Sequence, residues 1–243
     1  MKNDFHSVYL ILDKMALSCY NYSVINYNVI KKGRPMAQRD YSLDEKIVTA
    51  ARDEFLEKGY NGASLRKIAE KAGVTVGAIQ TRYKSKDELF VCLLKPLLDK
   101  IEDLFQNTKV DYYSGANADF STGLKASMWH ESEAILHLIF EHYEEAVLLL
   151  CRSAGSSLER YFDAVVQGKI KESITLFHAA GVAVIDKKLL GFLISAQFDS
   201  YRRIVAECPD RKTAERYMDA MTVYHFGGWA TFFESVNKPR EKK

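Results

Sequence analysis

From residue 42 onward, apolar positions recur every three to four residues, the repeat of one face of an α-helix. Ile47, Ala51 and Phe55 form the first such stripe. Ahead of it, Ser42-Leu43-Asp44-Glu45 is a capping box, in which the serine hydroxyl takes an orphan N–H and the glutamate reaches back. Asp44 and Glu45 also suit the positive end of the helix dipole. Lys58-Gly59 closes the element with a cation and a residue suited to the left-handed C′ position. A second, shorter helix starts at Ser64 as N-cap, turns Leu65, Ile68, Ala69 and Ala72 inward, and ends at Gly73. Only Val74 and Thr75 separate it from a third helix, expected over Val76 to Tyr83 with Ile79 and Tyr83 inward. Gly77, Gln80, Thr81 and Lys84 fall on its other face. Two short helices joined by so tight a glycine turn predict a helix-turn-helix.

A second capping box, Ser85-Lys86-Asp87-Glu88, opens a long helix through Leu89, Phe90, Leu93, Leu94, Leu97, Ile101 and Phe105. Pro96 lies inside that pattern and predicts a kink or break near residue 95. Residues 107–120, with Asn107, Gly115, Asn117 and Asp119, read as a loop. Further helices are expected over about 122–150, 155–179, 186–207 and 211–235. Gly227-Gly228 within the last of these costs ~1 kcal/mol per glycine relative to alanine, which a close helix–helix approach would offset. No segment alternates long enough for a strand, and no repeat is evident. The pattern predicts an all-α chain: an extension over 1–40, a helix-turn-helix domain over 41–90, and a helical bundle over 91–243. The Tyr- and Asn-rich first 30 residues read either as a flexible extension or as sequence upstream of a start at Met36.

Composition narrows the classes. With 243 residues and 47% apolar content the chain can bury a real core. A net charge of +2 is uninformative, but its distribution is not. Arg66, Lys67, Lys71, Arg82, Lys84 and Lys86 stand against the single acid Glu70, and Lys31, Lys32, Arg34 and Arg39 lie upstream. Such patches are what a phosphate backbone requires. No apolar run approaches the ~18 residues of a membrane span. Asp13 and Lys14 interrupt residues 7–30, so a leader is not expected. Cys19, Cys92, Cys151 and Cys208, without a C-x-x-C pair, read as reduced thiols of a cytoplasmic protein. His130, Glu133, His137 and Glu141 share one helical face, but the histidines stand too far apart for one ion; neither metal nor cofactor is expected. There is no Gly-rich phosphate loop, H-E-x-x-H or nucleophile elbow, which argues against an enzyme.

Residues 43 to 93 resemble the TetR family of transcriptional regulators. Gly59-Tyr60-Asn61-Gly62-Ala63-Ser64 is similar to that family's first turn, and Ile68 to Thr75 to its second helix and turn. Val76 to Leu89 is similar to its recognition helix and the start of its fourth helix. The chain departs from the pattern at Gln80, where an aromatic residue is common, and at Lys84, where proline is frequent. The resemblance implies a homodimer with an effector pocket in each subunit and a four-helix interface.

Gln80 is the candidate base reader, since its amide can pair bidentately with adenine, worth ~1–3 kcal/mol. Gly77 would admit close approach to the groove, and Thr81 would touch a thymine methyl or a phosphate. Ser64, Thr75, Val76, Tyr83 and Lys84 complete the expected DNA-facing set, with the hydroxyls chiefly caps and Tyr83 chiefly core. Lys86, in the first turn of a helix, is unfavourable to the dipole unless a phosphate lies there too. Arg34, within Lys32-Gly33-Arg34-Pro35, resembles a minor-groove arm. Trp129, Phe140, Tyr143, Phe162, Phe177 and Phe198 are candidates for a pocket taking an apolar or aromatic effector; Leu193, Tyr224, Gly228 and Phe232 are candidates for the dimer face. The expectation is a ligand-responsive repressor bound as a dimer to a double-stranded, pseudo-palindromic operator. The alternative is a helical partner- or ligand-binding module without DNA binding.

Overall fold

A computed structural model describes residues 41–114, 120–179 and 186–237. Among the described residues there are nine helices and no strand: α1 (Tyr41–Gly62), α2 (Leu65–Ala72), α3 (Val76–Arg82), α4 (Lys86–Ser114), α5 (Phe120–Glu141), α6 (Tyr143–Cys151), α7 (Tyr161–Ala179), α8 (Lys187–Glu207) and α9 (Arg211–Asn237). The fold is all-α, with an N-terminal helix-turn-helix and a C-terminal helical domain.

The chain divides into two units, one holding residues up to Pro96 together with Val147–Ala164, the other holding Leu97–Ala146 and the residues from Val165. The core of the first unit is Ile47, Ala51 and Phe55 of α1, Ile68 of α2, Ile79 of α3, and Leu89, Phe90 and Leu94 of α4, all buried. Phe90 meets Phe55 edge-on at 4.9 Å and Tyr60 at 5.1 Å, geometries worth ~0.5–1.5 kcal/mol each beyond burial. At the end of α1, Gly59 has φ 68° and ψ 169°. That region is nearly closed to side chains and differs from the expected left-handed helical value. Its geometry turns the Tyr60 N–H onto the Arg152 carbonyl at 2.9 Å.

The second unit is built on helical stripes. Leu190, Ile194, Phe198, Tyr201 and Val205 bury one face of α8, and Ala214, Met218, Thr222, Trp229 and Phe233 one face of α9. Between them Trp229 donates its indole N–H to Gln197 at 3.2 Å, and Gln197 donates to the Tyr201 hydroxyl at 3.0 Å. This buried polar chain satisfies groups that would otherwise cost ~1–3 kcal/mol each.

Several expectations are corrected. Of the kink or break expected near residue 95, the break does not occur: helix α4 runs through Pro96 and continues to Ser114, so 107–114 is helical and not loop. Low-propensity residues there disfavour a helix by only about 0.7 kcal/mol each, too little to stop one already running. The stretch 122–150 is two helices meeting at His142. The next helix starts at Tyr161 because Ser153, Gly155 and Ser156 form a turn: Ser153 bonds the Leu149 carbonyl, Ser156 the Ser153 carbonyl, and Gly155 has φ 86°. A Cβ on Gly227 or Gly228 would meet nothing within 4 Å, so no close helix approach within the described chain explains them. Cys151 is exposed and Cys208 buried, both free, but Cys92 is disulfide-bonded, unlike the four reduced thiols expected; sequence spacing cannot say which sulfurs the fold brings together. Cys19 and the whole 1–40 extension, Arg34 included, lie outside the described residues.

Candidate nucleic-acid interface

The recognition segment is assembled from caps. Ser64, extended at φ −134°, accepts from the Lys67 N–H at 3.2 Å and starts α2. Gly73 is left-handed at φ 67°, ψ 34°, and the following Val74 N–H returns to the Ala69 carbonyl at 2.9 Å, which ends α2 within one residue. Thr75 accepts from the Ala78 N–H at 3.1 Å and starts α3. Ser85 accepts from Glu88 N–H at 3.0 Å while the Glu88 carboxylate accepts from the Lys84 N–H at 2.6 Å, so α4 opens on a reciprocal cap.

Ion pairs then fix the helices. Arg82 binds Asp44 of α1 through Nε and the Ala78 carbonyl at 3.2 Å. Lys71 pairs with buried Glu54 at 2.8 Å and with Glu57 at 3.2 Å, and the Glu54 hydrogen bond holds the Lys71 ammonium above its ordinary value. Lys67 pairs with Glu70 at 2.9 Å, which holds that carboxyl below its ordinary value.

Lys86 has a task the sequence did not suggest. Its ammonium donates to the Tyr60 carbonyl at 2.7 Å and the Ala63 carbonyl at 3.0 Å, and sits 4.3 Å from the Tyr60 ring centre. The charge that was expected to need a phosphate is met by carbonyls at the end of α1 instead. The Tyr60 phenol is pushed up by burial, with the Asp87 carboxylate adding to the shift. Asp87 also accepts from the Ser157 N–H at 2.9 Å, and a Cβ on Gly155 would collide with the Asn61 carboxamide. The 152–160 turn is thus seated against Tyr60, Asn61 and Asp87, a set no local pattern announced.

These commitments sort the expected DNA-facing residues. Thr75, Gly77, Gln80, Thr81 and Lys84 are exposed together on and beside α3, with Val76 half-buried. The Thr81 hydroxyl donates to the Gly77 carbonyl at 2.8 Å, leaving its methyl and oxygen lone pairs outward. Ser64 is half-buried and used as a cap; Tyr83 is buried and closes α3 through its N–H on the Ile79 carbonyl at 2.8 Å. Of the six cations, Lys71, Arg82 and Lys86 are held by partners inside the fold, and Arg66, Lys67 and Lys84 are exposed.

The candidate pocket residues take part in several ring contacts. Phe162 belongs to the first unit and the other five to the second. Phe177 packs edge-on to Phe233 at 4.8 Å, Phe198 tilts against Tyr201 at 5.6 Å, Phe140 stacks on Tyr143 at 5.6 Å, and Trp129 meets Phe226 at 5.9 Å. Among the candidate dimer residues, Tyr224 is 73% exposed and Gly228 exposed, while Leu193 and Phe232 are half-buried. Phe192, Leu189 and Val223 are exposed on the same two helices. No described helix is long and apolar enough to cross a membrane.

The arrangement defines an all-helical protein with a helix-turn-helix headpiece. Residues 47–92 match the family described as bacterial regulatory proteins, tetR family. The chain is similar to the transposon Tn10 TetC protein of Escherichia coli, 33% identical over 104 residues, which cover 43% of this chain and 44% of that protein. It is also similar to the HTH-type transcriptional regulator PksA of Bacillus subtilis, 33% identical over 66 residues, 27% of this chain and 32% of that one. The chain thus spans less than half the length of these curated relatives. A solved TetR-like transcriptional regulator from Rhodococcus sp. RHA1 shares the fold, with a TM-score of 0.55 at 17% identity, over 79% of this chain and 98% of that one.

Proposed function

We propose that this chain is a ligand-responsive transcriptional repressor and not an enzyme. It binds a pseudo-palindromic DNA operator as a homodimer, acts in the cytoplasm, and is released by a small apolar or aromatic effector. One observation carries the reading: a seven-residue helix, α3, is locked by Thr75, Arg82 and Tyr83 while Gly77, Gln80, Thr81 and Lys84 stay exposed along it. A short helix so firmly held and yet so polar outward suits insertion into a major groove. In this reading residues 41–90 form the DNA-binding domain and 91–243 bind effector and dimerise, with 1–40 supplying the basic arm. Gln80 reads a base, and Lys84, Lys67 and Arg66 meet phosphates. The exposed apolar face of α8 and α9 around Phe192, Val223 and Tyr224 supports the dimer, and there the bare backbone of Gly227-Gly228 admits a partner helix. Effector binding acts on α4, which opens directly after α3, and it releases DNA only by favouring one of two states.

The test is fluorescence anisotropy of the purified chain on DNA upstream of its own gene, titrated against salt. The expected result is saturable binding whose logarithm falls linearly with log salt, by about 0.9 per phosphate contact, and which weakens for Gln80→Ala. Weak binding equal to that on scrambled DNA overturns the reading in favour of a binding module without DNA recognition.

A further inference from the structure

Helix α3 presents a short outward stripe in which most polar groups are already committed. Gly77, Gln80 and Thr81 stand at i, i+3 and i+4 and are all exposed, so they share one face. Ahead of them the Thr75 hydroxyl caps the helix, accepting from the Ala78 N–H at 3.1 Å. Thr81 spends its hydroxyl hydrogen on the Gly77 carbonyl at 2.8 Å. Arg82 is turned back onto Asp44 and the Ala78 carbonyl. Of the polar side chains on α3, Gln80 keeps both a donor and an acceptor, since its carboxamide makes no hydrogen bond among the described residues.

Gly77 supplies an independent observation. Its backbone is not left-handed, unlike that of Gly59, Gly73 and Gly155. A Cβ at Gly77 would meet nothing nearer than Thr75 Oγ1 at 3.8 Å, an ordinary contact. The fold therefore does not require glycine here, and glycine weakens a helix relative to alanine. What the missing side chain provides is room outside the protein, for a body that lies against the helix backbone.

Base edges differ in what they ask of such a face. In the major groove adenine carries an acceptor, N7, beside a donor, N6–H, and a carboxamide matches both at once. Guanine shows two acceptors and would leave the Gln80 carbonyl oxygen unmet, and cytosine shows a donor without the neighbouring acceptor. Thymine shows O4 and a C5 methyl, and a threonine whose hydroxyl hydrogen is spent meets it through its own methyl.

We propose that the operator half-site of this chain is built on A·T pairs. Gln80 takes adenine N7 and N6–H as a bidentate pair, Thr81 packs its methyl on a thymine methyl, and Gly77 lets the helix backbone approach closely enough for both. The assignment rests on the DNA-binding reading above and names the bases which that reading leaves open. Lys84, Arg66 and Lys67 add phosphate contacts that are blind to sequence.

The experiment starts from duplexes selected by the full chain out of a random-sequence library, with affinities read by fluorescence anisotropy at fixed salt. Single 7-deazaadenine and thymine-to-uracil replacements are then walked through the selected site; the first removes N7 and the second the C5 methyl. One adenine in each half-site is expected to lose about tenfold in affinity on 7-deaza replacement. One thymine is expected to lose about fourfold on uracil replacement, the worth of a buried methyl. Gln80→Ala weakens binding to the selected duplex and abolishes the 7-deaza penalty. Thr81→Val keeps the uracil penalty, whereas Thr81→Ser loses it although serine retains the hydroxyl. Gly77→Ala holds or raises the melting temperature yet lowers affinity about fivefold or more, because the added methyl meets DNA and not protein. The analogue walk uses the unaltered chain, so it decides the matter even where a variant fails to fold.

A selected site at which either replacement is without effect, or a 7-deaza penalty that survives Gln80→Ala, overturns the proposal. So does undiminished binding by Gly77→Ala. Dependence on guanine N7, found with 7-deazaguanine in place of any adenine effect, also overturns it and moves base reading to a cation such as Lys84. In each of these cases sequence-selective binding stands, and with it the repressor reading. A library from which no sequence is enriched overturns both.

Discussion

The two units handle their polar and apolar groups in opposite ways. In the first, three cations of the headpiece are consumed internally: Arg82 by Asp44, Lys71 by Glu54, Lys86 by two carbonyls and a ring. Its large apolar side chains, from Phe55 to Phe90, are enclosed. In the second, a carboxylate oxygen of Glu131 is enclosed without a donor among the described residues, while Phe192, Val223 and Tyr224 stand in solvent. A unit whose groups are matched within itself can present one hard, fixed surface. A unit with groups matched only by something else has its stability coupled to what it binds.

The strongest way to break this contrast is at the enclosed core. Phe55→Ala is expected to cost the first unit ~3–5 kcal/mol, read by chemical denaturation; a loss under 1 kcal/mol would mean that the aromatic cluster is not its keystone. Gly155→Val comes next. It adds a collision with Asn61 to a backbone at φ 86°, so roughly 2–4 kcal/mol is expected from strain and overpacking together. An unchanged melting curve would show that the 152–160 turn is not seated on Asn61.

Lys86→Met separates structure from recognition. It should lower stability by about 1–3 kcal/mol, the usual worth of charge-assisted hydrogen bonds, and leave the salt slope of DNA binding unchanged. Lys84→Ala should do the opposite, reducing that slope by about one phosphate's worth with stability within ~0.5 kcal/mol. Tyr224→Ser, on the exposed face, should leave the subunit folded and weaken self-association by about tenfold or more, seen in analytical ultracentrifugation.

The smallest effect concerns pH. Burial holds His225 below its ordinary value of 6.5. A base depressed in the folded state binds its proton better when unfolded, so stability is full above that ordinary value and declines as pH falls through it toward the folded one. His225→Gln should flatten this acid-side decline; an unaltered pH profile would exclude His225 as its source.

Much of the headpiece was legible because its signals are local. Ser64, Gly73, Thr75 and Ser85 each act on groups three or four residues away. The roles of Arg82 and Lys86 were not legible, since their partners lie 38 and up to 26 residues back along the chain. A run of cations reads the same whether it faces phosphate or a carbonyl. In the second unit, period gave the helices but not their mutual pairing. Nothing in the hydropathy of Glu131 or Lys169 marks either as buried, and period alone does not say which ring meets which.

Helix α4 carries Pro96 at the point where the two units divide. Proline brings no amide, so the Cys92 carbonyl receives no helical rung from it. Seen as a strut, α4 is stiff on both sides and one rung short in between. Slow-exchanging amides are therefore expected before and after residue 96, with a local minimum of protection around it. Replacing Pro96 by alanine restores that rung and is expected to raise protection around residue 96 to the level of its neighbours.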